Sequence, residues 1–292
     1  MIWNQFALQI LNGLGVAAIL VIATSGLAII FGVAGVINMA HGTFIMVGAY
    51  TAAVVNKLGG DMFMAMPLAF VVVALLGLAV ERGVIRWIYD RPLETLLATW
   101  GVAIILEVAA RLIFGPLGLK VDWPDLLDGN IKLFARPPHY PYYRVFHIVL
   151  AAAIMGLTFY LLYKTNFGLK VRAVRRNRAI SGCMGVDTAK IDMLIFMYGS
   201  GLAGVAGAVL APIKAATFDM GFTYAVSSYM VIVLGGVGNL LGIPVGAFLI
   251  GEGETLLAFR YNTVIGQLLV FVAIVIAIRV FPRGIFGYHE RR

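Results

Sequence analysis

The chain has 292 residues, of which 61% are hydrophobic and 12% charged. Soluble domains carry about 25% charged residues, so a water-soluble monomer is excluded. The net charge of +8 does not point to nucleic acid, because the basic residues sort by position between apolar stretches, as the positive-inside rule expects.

In chain order, apolar stretches long enough for membrane helices fall at residues 5–31, 37–56, 63–80, 95–114, 146–163, 192–211, 223–237, 241–258 and 263–281. A span needs about 20 apolar residues. Several of these are short and glycine-broken, so the expectation is an all-α polytopic membrane protein with eight to ten transmembrane helices in one domain, 1–292. The start, MIWNQFALQILNG, lacks a positive region and reads as a retained span rather than a cleaved leader.

The first glycine-broken stretch is Phe31 to Tyr50. It brings Asn38, His41 and Thr43 into an apolar setting. Strongly polar side chains in a span cost free energy and are functional candidates by default. A lone histidine there is as readily a packed, hydrogen-bonded residue as a route-lining one. Thr95 and Thr99 lie one turn apart at the start of the fourth span. Glu107 and Arg111 are four residues apart, share a helix face, and are expected to form a structural ion pair. Glu252, Glu254 and Arg260 allow a similar arrangement.

Residues 115–145 form a long Pro-, Gly- and aromatic-rich connection. Trp123, Tyr140, Tyr142 and Tyr143 suit an interfacial belt; a lid or a landing surface for an external protein is the other reading.

The segment 164–191 carries seven of the 22 basic residues and one acid, Asp187. It joins a helix-like run with Val171, Val174 and Ala179 among arginines to a break at Gly182–Gly185. Asp187 or Thr188 then caps the next span. This is either a plain positive-inside anchor or a docking segment. Placing it in the cytosol puts 14 Lys and Arg inside and 7 outside. The N-terminus then faces out, the C-terminus in, and 115–145 is periplasmic. The lone Cys183 in this segment rules out an intramolecular disulfide.

The second broken stretch, Leu234 to Gly251, follows Ser227 and Ser228 and contains Asn239. Both broken stretches place a Gly cluster, then Asn, then Gly-Ala ahead of an apolar run. Two related halves with broken helices at their interface would produce this pattern; chance similarity of glycine-rich sequence would too. Asn38 and Asn239 are candidates for lining a solute route from the two halves, with helix-to-helix hydrogen bonding as the competing role. No G-x-x-x-x-G-K-[ST] loop is present, and no Cys/His cluster has metal spacing, so no catalytic, metal or cofactor site is expected. Embedded carboxylate chains suited to a proton- or sodium-driven carrier are also missing, so energy for transport would come from another subunit.

Five runs resemble one family. They are Val36–Gly42 with Gly48-Ala49-Tyr50, Arg91–Gly101, Thr165–Gly185, Leu234–Asn239 through Gly246-Ala247, and Pro282–Gly287. The whole chain resembles inner-membrane permeases of ABC importers in the branched-chain amino acid family, and the Arg91–Gly101 run resembles the urea-type branch. Glu107 and Ser181-Gly182-Cys183 depart from the family pattern. The resemblance implies a second related permease, two cytoplasmic ATPases, a periplasmic binding protein and a bacterial inner-membrane location. It also implies ATPase coupling through 164–191, carried by Gly168, Arg172, Ala173, Arg175, Arg176, Gly185 and Asp187. The expected solute is urea or a related small amide, for which Asn38, Thr99, Ser228 and Asn239 supply amides and hydroxyls. The alternatives are a branched-chain amino acid permease and, from another class, a passive urea channel, which would have no need of the basic segment.

Overall fold

A computed structural model describes residues 2–89, 91–131 and 140–286. Nine helices occupy the nine apolar stretches: α1 Ile2–Ile29, α2 His41–Lys57, α3 Met62–Gly83, α4 Pro92–Phe114, α5 Tyr142–Lys164, α8 Thr188–Leu210, α9 Met220–Gly235, α10 Gly242–Arg260 and α11 Thr263–Val280. Two further helices, α6 Asn166–Arg176 and α7 Arg178–Cys183, fold within the basic segment. Among the described residues, seven helices are long and apolar enough to cross a membrane, and α9 is a shorter apolar one. The protein is therefore a polytopic, nearly all-helical membrane protein. The expected span at 37–56 begins late, because residues 35–38 are unwound and the helix starts only at His41.

The core is α8, whose Gly199–Leu210 run of small residues is almost wholly buried. Without a hydrophobic drive between helices in lipid, close backbone approach at small residues supplies the packing. Gly199 meets Gly26 of α1, Gly204 meets Gly48 of α2 and Ala69 of α3, and Gly207 lies against the Ile45 carbonyl. Helices α4, α5 and α11 form the periphery and leave Ile104, Ile105, Val149, Val272 and Ile276 exposed.

The connection 115–131 and 140–141 is folded rather than loose. Strands β1 Asn130–Ile131 and β2 Tyr140–Pro141 pair antiparallel, and Leu119 bridges to Ala216. Trp123 stacks on Tyr143 at 4.6 Å between ring centroids, and the buried Tyr140 hydroxyl donates to the Leu11 carbonyl at 2.8 Å. Residues 132–139 and the end of the Pro282–Gly287 run lie outside the described residues.

Candidate functional site

The two glycine-broken stretches fold alike. Helix α1 widens into a π turn at Ile30–Ala34 and stops at Gly35, whose φ of 69° favours glycine. Three residues on, Asn38 Oδ1 accepts from Ala40 N at 3.1 Å, and three residues later α2 begins. Helix α9 stops at Gly236, with φ 105°; three residues on, Asn239 Oδ1 accepts from Leu241 N at 3.0 Å, and α10 begins at Gly242. The same offsets recur in both breaks. Asparagine suits this place because its amide mimics a backbone turn and covers a helix-start N–H.

Beyond that local likeness the two breaks part. The first is folded into the protein. Asn38, His41 and Thr99 are fully buried. Met39 N donates to Thr99 Oγ1 at 3.0 Å, and Thr99 Oγ1 also approaches the Ile37 carbonyl at 3.3 Å. Thr99 therefore serves backbone that no helix satisfies, inside the depth of α4. The His41 Nε2 sits 2.8 Å from the Ala23 carbonyl of α1, so α2 starts within the span rather than at its edge. Thr43 Oγ1 donates back to the Ala40 carbonyl at 2.8 Å. Irregular backbone at this depth is tolerated only where protein or a cavity surrounds it.

A cavity of about 50 Å³ opens beside the start of α2, lined by Met39, Gly42, Thr43, Trp100, Glu107 and Tyr229 together with Ala103, Phe222, Ala225 and Val226. Two buried polar atoms of the neighbouring residues, Asn38 Nδ2 and Ser228 Oγ, are without partners in the structure, while the Tyr229 hydroxyl on the cavity wall meets the Asn38 backbone. Buried orphan donors are rare and cost about 1–3 kcal/mol each. Ser227 instead returns its hydroxyl to the Thr223 carbonyl at 3.1 Å.

The expected Glu107–Arg111 ion pair is not formed. Among the described residues the ion pairs are Arg91–Glu94 and Arg178–Asp192. Arg111 lies over the Phe218 ring, 5.3 Å from its centroid, while Glu107 faces the cavity. One helical turn separates the two residues, and the arginine's length lets it leave toward an aromatic partner near the end of α4. Arg260 likewise lies over Tyr261 rather than pairing with Glu252 or Glu254.

The second break meets the basic segment instead. Arg175 of α6 donates to the Gly238 carbonyl at 2.9 Å, and Asn239 Nδ2 donates to the Phe286 carbonyl at 3.1 Å. Arg175 and Asn239 line a separate cavity with Gly32, Tyr163, Arg172 and Gly236. Asn38 and Asn239 thus have different settings: the first is fully buried among span residues, and the second lines the cavity at the seam between membrane helices and basic segment.

The basic segment is a helix pair pinned from beneath. Thr165 Oγ1 caps α6 through Gly168 N at 3.2 Å, Asn177 caps α7 through Ile180 N at 2.9 Å, and Asp187 caps α8 through Lys190 N at 3.0 Å. Gly168 is packed against the Leu161 and Leu162 carbonyls with no room for a Cβ, and Arg172 donates to the Leu162 carbonyl. After α7 the chain turns at Gly185, φ 82°. Val186 N bonds to the Ser181 carbonyl and Gly185 N to the Gly182 carbonyl, both at 3.0 Å, a Schellman closure that requires the left-handed residue. Arg178 pairs with Asp192 of α8 and covers the Tyr89 ring at 5.2 Å. The Tyr89 hydroxyl donates to the buried Glu81 at 3.4 Å. Burial first, then the Asp192 and Glu81 carboxylates, hold the Tyr89 phenol well above its ordinary pKa, so it stays a donor.

Arg172, Arg175 and Arg178 are therefore committed to the chain's own membrane helices. The outward face of the pair is Leu169, Ala173, Arg176, Ile180 and Met184, with Ile180 61% and Met184 79% exposed. Sequence reasoning missed Trp100, Phe222 and Tyr229 of the cavity and the Glu81–Tyr89–Arg178–Asp192 cluster. The proximity of Glu81 and Asp192 to span ends near an arginine-rich segment was the available signal.

Residues 9–278 match the family described as the branched-chain amino acid transport system / permease component. The chain is 25% identical to the high-affinity branched-chain amino acid transport system permease protein LivH of Salmonella typhimurium, covering 98% of this chain and 96% of that protein. It is 27% identical to a probable LivH of Methanocaldococcus jannaschii, covering 92% and 89%. It is 26% identical to BraD of Pseudomonas aeruginosa, covering 97% and 96%. The LivM permease of Salmonella typhimurium is 26% identical over 80% of this chain and 60% of its own length. No solved structure matches.

Proposed function

Since this chain belongs to the family of branched-chain amino acid transport permeases, we propose that it is a membrane-spanning subunit of an ABC importer for branched-chain amino acids. The observation that carries this reading is the unwound stretch 35–38, which starts α2 inside the span beside a cavity with apolar walls and a few polar groups. Transporters build solute sites at broken helices of this kind. Trp100, Phe222, Val226 and Met39 suit an aliphatic side chain. The relatives named LivH and BraD point to the same solute class.

The expectation of urea keeps one supporting observation, the buried amide and hydroxyl groups of Asn38, Thr99 and Ser228. It becomes the second reading, because the relatives favour amino acids. Uptake decides between them. Proteoliposomes with the complete importer should take up labelled leucine on ATP addition and leave labelled urea outside. Urea uptake without leucine uptake would reverse the assignment.

The importer would also hold a second permease of the LivM kind, two ATPases and an external binding protein. The chain itself would be no enzyme, and ATP would be hydrolysed by its partners. Segment 164–191 would be the ATPase-coupling element on the cytoplasmic side. Asn239 and Arg175 would form the joint that passes its motion to α9 and α10.

This orientation places the N-terminus outside. In intact cells a membrane-impermeant thiol reagent should react with an Asn130→Cys variant and spare the exposed native Cys183 until the membrane is opened. Labelling of Cys183 in intact cells would invert the topology.

A further inference from the structure

Arg172 and Arg175 lie three residues apart on α6 and share one face of it. Both line the cavity at the seam between the basic segment and the membrane helices. Each gives the chain one of its five N–H donors, Arg172 to the Leu162 carbonyl and Arg175 to the Gly238 carbonyl. Among the described residues no acid lines this cavity, and the ion pairs, Arg91–Glu94 and Arg178–Asp192, involve neither arginine. The start of α10 borders the cavity through Leu240 and Ile243, and the positive end of its dipole adds to the field. Two guanidinium groups and a helix start thus converge, and an anion is the group that they would hold.

The other walls say which anion. Ile29, Leu162, Ile232 and Ile243 come from α1, α5, α9 and α10. Helix α1 ends at Ile29, α5 at Lys164 and α9 at Gly235, while α10 begins at Gly242. The cavity is therefore level with the ends of the apolar helices, the depth of phospholipid headgroups. Tyr163 on its wall is 47% exposed and has Arg172 over its ring at 5.3 Å, as suits an interfacial aromatic. Phe159 and Tyr160 continue the exposed side of α5, a track for an acyl chain. Five cations fall between Lys164 and Arg176 with no acid among them, and such clusters beside a span attract anionic lipids. The cavity measures about 60 Å³. At the space one water needs, that is room for about four or five heavy atoms, the size of a phosphate group. We infer that the cavity seats the phosphate of one anionic phospholipid at Arg172 and Arg175, with the acyl chains leaving past Tyr163 along α5. A choline lipid would bring its own cation into the same basic surroundings, so the site selects for net negative charge. The site does not depend on which solute the protein carries.

Native mass spectrometry of the full chain in a neutral detergent tests this, with phosphatidylglycerol, phosphatidylcholine and glycerol phosphate as probes. The chain should hold one phosphatidylglycerol about tenfold or more tighter than phosphatidylcholine, as two arginines at a headgroup allow. Glycerol phosphate at the same concentration should not displace it. Arg172→Gln with Arg175→Gln should bring the two lipids within twofold of each other. Lys170→Gln with Lys190→Gln removes as much charge from exposed side chains that do not line the cavity, and should keep most of the preference. Ala28→Phe puts a ring into the cavity and leaves both arginines in place. It should also abolish the preference, and it decides the matter alone if the arginine variant does not fold. A preference that survives Ala28→Phe, or that falls equally in the arginine and lysine variants, would overturn the cavity in favour of a diffuse basic surface. Displacement by glycerol phosphate would make this a site for a soluble phosphate compound and overturn the lipid. Equal binding of the two lipids by the wild type would overturn the inference outright.

Discussion

Replacing Gly207 by leucine should unfold the centre of the protein and stop transport with it. A Cβ at this position would overlap the Ile45 carbonyl oxygen and crowd Ala49 N of α2. The obstacles are backbone atoms, which no rotamer change can move. Helix α8 would have to leave α2, and the neighbouring contacts of Gly204 with α2 and α3 would go with it. Overpacking a well-filled core costs about 1–3 kcal/mol, and a clash with backbone belongs at the upper end. The measurement is the melting midpoint of the detergent-purified protein. Gly156→Leu, placed where a Cβ meets nothing within 4 Å, should melt with the wild type. Equal midpoints for both variants would contradict the packing described for α8. The effect reaches the candidate site because α8 packs on Ile45 of α2, one turn beyond the helix start that borders the cavity.

The second large effect concerns coupling. Ile180→Glu with Met184→Glu should abolish leucine-stimulated ATP hydrolysis by the assembled importer while the protein keeps its fold. These side chains are 61% and 79% exposed and lie on the face of α6 and α7 turned away from the membrane helices. Apolar side chains exposed within a basic surface suit a partner's groove, where a buried charge would be costly. Charge reversal at Arg172 and Arg175 would be a poorer test, because those arginines donate to the Leu162 and Gly238 carbonyls. Their loss would loosen α6 from its own scaffold. Full stimulation in the double variant, with the complex assembled, would place the ATPase contact elsewhere.

Much of this architecture is legible in the sequence. The nine apolar stretches become nine helices because a run of about 20 apolar residues has few other folds available in lipid. The cap at Asp187 and the break at Gly182–Gly185 follow from local chemistry and are found where expected. The shared design of the two breaks also shows in the sequence, since Asn38 and Asn239 each act on the turn two residues ahead. What cannot be read is long-range. Spacing along α4 puts Glu107 and Arg111 on one face but does not reveal Phe218, from another part of the chain, which takes the arginine away. The likeness of the two asparagines suggests a shared route, yet their neighbours differ: Thr99 borders one and Arg175 the other's turn. The aromatic lining by Trp100, Phe222 and Tyr229 depends on how α4 and α9 cross α2, which periodicity does not encode.

The claim that the break ahead of α2 lies on the solute route is tested most directly at Met39, which borders both the unwound backbone and the cavity. A Met39→Cys variant in a Cys183→Ser background, assembled with its partners, is exposed to a small water-soluble thiol reagent with and without a non-hydrolysable ATP analogue. The account predicts that position 39 reacts, that the side of the membrane from which it reacts changes with nucleotide, and that saturating leucine-loaded binding protein slows the reaction. A thiol at position 39 that stays unreactive from both sides in every nucleotide state would contradict it.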